Sequence, residues 1–117
     1  MKVLLCIRDD IILQRACSAI RDMGLEPIGE TTAEGALARV GESDVLILDW
    51  DVVGLQALLD FWRQAKTGPI AIMYEAMPDA AQVKLLSERL IWNVFPCPID
   101  ERSLRAIIIT LLVRYTS

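Results

Sequence analysis

The stretch Asp44-Val45-Leu46-Ile47-Leu48-Asp49-Trp50-Asp51 sets four consecutive large apolar residues ahead of two carboxylates. A strand that is apolar on both faces belongs in the middle of a parallel sheet covered by helices. In open α/β sheets the chemistry sits beyond the carboxyl ends of the strands. Asp49 and Asp51 therefore mark the mouth of a site, and the remaining chain supplies its surroundings.

Upstream, Val3 to Ile7 is a second short apolar run, and it ends in Arg8-Asp9-Asp10. The spacing of Ile12, Ala16, Cys17, Ile20 and Met23 predicts a helix over 10–23, capped by Asp9 or Asp10 and stopped by Gly24. Leu25 to Glu30 reads as an edge strand, because Pro27 lacks a donor for a central ladder. Thr31-Thr32-Ala33-Glu34 has the form of a capping box and predicts a short helix over Ala36, Leu37 and Val40, ended by Gly41.

Downstream, Leu55 to Arg63 is helical in period and stops near Thr67-Gly68-Pro69. Ile70 to Tyr74 is another apolar strand. Pro78, tolerated in a first helical turn, opens a helix to about Leu90. Ile91 to Phe95 is the last strand, and Asp100 caps a final helix to about Tyr115. Alternation of this kind predicts a single α/β domain over residues 1–117. Its parallel strands need right-handed crossover helices, giving a doubly wound (βα)5 sheet.

Composition excludes several classes. Apolar residues are 54% and charged residues 24% of 117, as in a folded chain of one domain. The net charge of -4 without a basic block argues against direct nucleic-acid binding by this domain. Cys6, Cys17 and Cys97 match no zinc or disulfide spacing, which points to a reduced, cytoplasmic setting. The longest apolar run, Ala106 to Val113, is interrupted by Thr110 and is far shorter than a membrane span. Met1-Lys2 runs directly into a strand, leaving no signal-peptide cleavage region. The chain contains no histidine, and so lacks the usual general base and metal ligand.

With the weak strand at one edge, the order 2-1-3-4-5 sets the first and third strands side by side. Asp9, Asp10, Asp49 and Asp51 then meet in one crevice. Two such charges about 4 Å apart repel by roughly 4 kcal/mol at an effective dielectric of about 20. A divalent cation, a raised carboxyl pKa or an internal cation must offset this.

The acidic pair after the first strand, the aspartate ending the third and the (βα)5 pattern together resemble the receiver domain of two-component response regulators. The resemblance spans essentially the whole chain and implies flavodoxin-like topology. It implies that Asp49 is the phosphoacceptor served by a sensor histidine kinase. It also implies magnesium held by an acid pair, whose matching positions are Asp9 with either Arg8 or Asp10 depending on the alignment of the first loop, together with Asp49 and the backbone carbonyl of Asp51.

Departures from the family pattern are equally informative. Tyr74 stands where the family has Ser or Thr. Cys97, before Pro98, replaces the lysine that clamps the phosphoryl group, and Lys2, Lys66 and Lys84 all lie away from strand carboxyl ends. The loop Asp51-Val52-Val53-Gly54 is short, and the aromatic switch position holds Val94 beside Phe95. Aligned on its first helix, the chain puts Arg8 in the place of the first metal-binding acid. A guanidinium there would pair with Asp49 or Asp9 and neutralise the pocket without metal.

Each feature also has a plainer structural explanation. Asp9 or Asp10 is accounted for by helix capping alone. Cys97 is a small residue filling a lysine's place unless a cation or base activates it. Trp50 is expected as an exposed contact in the crevice, and Trp62 and Trp92 as packing residues. In the last helix Leu104, Ile107, Ile108, Leu111 and Leu112 form a core stripe. Ala106, Ile109 and Val113 widen the apolar arc beyond what one buried face needs, which points to a partner or a homodimer.

The resulting expectation is a non-enzymatic receiver-like signalling domain, degenerate in its phosphoryl chemistry, that works through protein contacts. A competent magnesium-dependent phosphoacceptor is the alternative. A small flavin- or nucleotide-binding protein is disfavoured, because Arg8-Asp9-Asp10 stands where a phosphate-cradling glycine loop would be needed.

Overall fold

The computed structural model describes residues 1–65, 70–74, 91–96 and 100–116. Strand β1 (Lys2–Cys6) leads to helix α1 (Asp10–Asp22), β2 (Glu26–Glu30), a short α2 (Ala33–Leu37) and a 3-10 turn at Val40–Glu42. Then come β3 (Val45–Asp49), α3 (Leu55–Ala65), β4 (Ile70–Tyr74), β5 (Ile91–Pro96) and a C-terminal helix (Glu101–Thr116). The helix expected over 78–90 lies outside the described residues.

The strands are parallel neighbours in the order β2-β1-β3-β4-β5. The parallel α/β class and the central pairing of β1 with β3 are as the sequence predicts. Pro27 sits on β2 opposite Val3, at the sheet edge, where a missing donor costs no ladder bond.

Strand alternation divides the core in two. Val3, Leu5, Val45 and Ile47 face α1 and the C-terminal helix, packing with Leu13, Cys17, Ile20, Leu104 and Ile108. Leu4, Cys6, Leu46, Leu48, Ile70 and Ile72 face the other way, onto Ala36, Leu58, Leu59 and Trp62. Burial on both faces explains why β1 and β3 read as unbroken apolar runs.

Helix α1 ends where Gly24 takes a φ of 80°, and the Gly24 N–H donates to the Arg21 carbonyl. The second helix differs from expectation by one residue at its start. Its cap is Thr32, whose hydroxyl accepts from the Gly35 N–H at 3.1 Å, so the Thr31–Glu34 capping box does not form. Gly41 does not terminate a longer helix. It lies within the 3-10 turn, which Ser43 closes by donating its hydroxyl to the Arg39 carbonyl at 2.8 Å.

Candidate functional site

The parallel register of β1 and β3, Cys6 opposite Leu48, carries the chain beyond Cys6 to the level of Asp49. Asp49 is the last residue of β3 and is only 4% exposed. The Arg8 backbone N–H donates to Asp49 Oδ2 at 3.2 Å, and the Arg8 Nε donates to the same oxygen at 3.2 Å. The Asp51 N–H donates to Asp49 Oδ1 at 3.0 Å. Arg8 also forks outward, with Nη2 3.5 Å from Asp51 Oδ2. One guanidinium thus spans two carboxylates and ties the loop after β1 to the loop after β3.

The loop after β3 is itself well anchored. The Asp49 carbonyl accepts from the Val52 N–H at 3.2 Å, and Val52 is buried. Gly54 has a φ of 88°, and a Cβ there would come within 3.1 Å of the Ala33 Cβ. Trp50, expected as an exposed contact, is half-buried and packs on the apolar cluster below the crevice. Asp49 before it and Val52 two residues after it are buried, while Asp51 between Trp50 and Val52 is exposed.

The other acids are differently employed. Asp9 is the cap of α1, its Oδ1 accepting from the N–H groups of Ile11 at 2.9 Å and Ile12 at 3.2 Å. Asp10 follows in the first helical turn, exposed, where negative charge is favoured by the helix dipole. Of the two capping candidates, the structure therefore selects Asp9. Among the described residues no group of three or more His, Cys, Asp or Glu side chains is placed to hold a metal ion. Magnesium keeps several of its six oxygens as water and needs only one or two carboxylates, so what decides is whether these carboxylates are open to it. Asp49 already accepts on both oxygens, and a guanidinium occupies the space between it and Asp51, so the donor set as arranged does not fit magnesium.

Beneath Asp49 lies Cys6, fully buried in β1. Burial pushes its thiol up to about 12, with the charges of Asp49 and Glu30 adding to the rise. Such a thiol stays protonated and inert at neutral pH.

Sequence reasoning expected the Asp51 carbonyl to serve the site and missed the role of its N–H. The signal was present, since an aspartate two residues before a turn amide commonly accepts from it. Equally, the Arg8 backbone N–H was not anticipated as a partner of Asp49. Tyr74 is the final residue of β4, one past the Asp49–Met73 pair, and stands opposite Pro96. Cys97 lies outside the described residues, as do the side chains of Trp92, Val94, Phe95, Leu111 and Leu112.

On the C-terminal helix, Leu104 and Ile108 are buried while Ala106, Ile109 and Val113 are exposed, Ile109 by 54% and Val113 by 62%. Arg105 reaches α1 at Asp22, 3.8 Å away. No described helix is long and apolar enough to cross a membrane.

No protein-family model matches the sequence, and no curated protein does. Solved structures do match in fold. A CheY-like response regulator receiver domain protein from Methanospirillum hungatei superposes with a TM-score of 0.86 at 17% identity, covering 98% of this chain and 95% of its own. A two-component response regulator from Clostridium difficile gives 0.88 at 17% identity, over 100% of this chain and 99% of its own. A response regulator receiver domain protein from Clostridium thermocellum gives 0.80 at 20% identity, over 98% and 96%. The fold of this chain, with Asp49 at the carboxyl end of its central strand, is that of the response-regulator receiver domain.

Proposed function

We propose that the chain is a receiver-like signalling domain of a response regulator that acts through protein contacts, with phosphorylation at Asp49 compromised. In this reading the architecture is a full (βα)5 domain with a helix at 78–90. The observation that carries the proposal is the Arg8–Asp49 pair: the carboxylate in the acceptor position already has a resident cation and two backbone donors. With both oxygens engaged and a guanidinium across its open side, the carboxylate must shed a donor before it can attack an incoming phosphoryl group. Cys97, in the place of a clamping lysine, adds no positive charge.

The partner would be a sensor histidine kinase or another signalling protein. A second copy, docked on the C-terminal helix at Ala106, Ile109 and Val113, is the homodimer counterpart of that idea. Nucleic acid is disfavoured as a direct partner by the net charge of -4. Nothing in the sequence supplies an enzymatic constellation, and the cysteine usage suits the cytoplasm.

Two substitutions in the native host separate the readings. Asp49→Asn is expected to keep signalling output and partner association, whereas Ile109→Glu is expected to lose association in sedimentation or light scattering. Loss of output in Asp49→Asn, together with a covalent mass gain of the wild-type protein in acetyl phosphate, would establish the competent phosphoacceptor instead.

A further inference from the structure

We propose that the Arg8 guanidinium is the crevice's own cation, built into the chain in place of a dissociable divalent ion. The crevice is thereby disfavoured for magnesium, and the two loops that flank it are joined by a group of the chain itself. The inference rests on the receiver-like reading for which ion is displaced.

The need for a cation follows from burial. Asp49 is 4% exposed, and a carboxylate that deep requires a counter-charge and hydrogen bonds. Arg8 supplies both. Its Nε meets Asp49 Oδ2 at 3.2 Å, its Nη2 lies 3.5 Å from Asp51 Oδ2, and its backbone N–H adds a second donor to Asp49 Oδ2 at 3.2 Å. A planar fork of fixed donors suits two carboxylates side by side better than an ammonium would. The neighbouring acid is committed elsewhere, because Asp9 caps α1 through Oδ1. A divalent ion entering beside Asp49 would have to displace the guanidinium or sit against a like charge.

The functional consequence concerns control. A dissociable ion makes the link between the β1–α1 and β3–α3 loops depend on cation supply, whereas a tethered guanidinium makes it independent of that supply. The domain would then present one fixed rim to its partners, irrespective of magnesium.

The test is a magnesium titration of the whole chain at constant ionic strength, followed by tryptophan fluorescence, to which Trp50 contributes beside Trp62 and Trp92, and by thermal unfolding. Wild type is expected to show no saturable change up to about 10 mM magnesium, a level that fills even weak oxygen-ligand sites. Arg8→Asp, which restores an acid and removes the cation, is expected to bind magnesium at least about tenfold more tightly than wild type and to gain melting temperature with it. Should Arg8→Asp not fold with or without magnesium, Arg8→Asn takes its place, with a weaker gain expected. A saturable wild-type response in the low millimolar range overturns the proposal, and so does a folded variant whose magnesium response equals that of wild type. Neither arm involves a partner: failure here removes the block on phosphorylation but not association through the C-terminal helix, which Ile109→Glu tests separately, and loss of partner binding leaves this result standing.

Discussion

Replacing Arg8 by methionine keeps much of the apolar stem and deletes the guanidinium, which isolates the pairing from packing. The Asp49 side chain is 6% exposed and that of Arg8 is 48% exposed, so the pair lies between two limits. Breaking a fully buried pair costs about 3–5 kcal/mol, whereas a surface pair contributes about 0–1 kcal/mol. The N–H groups of Arg8 and Asp51 continue to solvate Asp49 after the substitution. A loss of about 1.5 kcal/mol is expected, the low end for a hydrogen bond to a charged group. With roughly 2.1 cal/mol/K of unfolding entropy per residue over 117 residues, that corresponds to a fall in Tm of about 6 °C. Urea and thermal unfolding of Arg8→Met, Asp49→Asn and the double variant give the coupling directly, and it should reach about 1 kcal/mol. An Arg8→Met loss below about 0.3 kcal/mol, or a coupling indistinguishable from zero, would refute the assignment of Arg8 as the counter-charge of Asp49.

Three further outcomes are expected. Asp9→Ala should lower stability by about 1 kcal/mol through loss of the α1 cap, visible as a shifted urea midpoint at constant slope, and an unchanged midpoint would remove the capping role. Gly54→Ala should cost about 1–2 kcal/mol, because its φ of 88° is strained for an L side chain and its new Cβ meets that of Ala33. Stability should also fall as pH rises above about 9: the Cys6 thiol ionises near 9.0 in the unfolded chain but holds its proton to about 12 when folded, so the unfolded state binds fewer protons in that window. Cys17, likewise pushed up by burial, works in the same direction. Cys6→Ala should flatten the decline, and a slope identical to that of wild type would count against the burial of this thiol.

How much of this was legible beforehand depended on which physical signal each residue carried. The doubly buried strands β1 and β3 announced themselves as apolar runs, and Pro27 marked β2 as an edge, because hydrophobic burial and missing donors leave a direct trace in residue type. Pairing of Arg8 with Asp49 or Asp9 was an expectation drawn from the family resemblance, and of the two carboxylates it is Asp49 that Arg8 meets. What the residues could not fix was the division of labour among the acids. Asp9 and Asp10 are one residue apart and equally able to cap, and only the backbone geometry at the helix start selects Asp9. The start of α2 slipped from Thr31 to Thr32 for the same reason, as either hydroxyl suits the role. Trp50 was misjudged because alternation along a strand says nothing about a residue just past its end, where the turn sets the side-chain direction.

The Arg8–Asp49 pair is read most plainly from the NMR signal of the Arg8 Nε–H, assigned by its loss in Arg8→Lys. With Arg8 as the counter-charge of Asp49, the resonance is resolved, shielded from solvent exchange, unaffected by magnesium, and lost or averaged in Asp49→Asn. A freely exchanging signal at the position of a solvated arginine, identical in wild type and Asp49→Asn, would contradict that pairing.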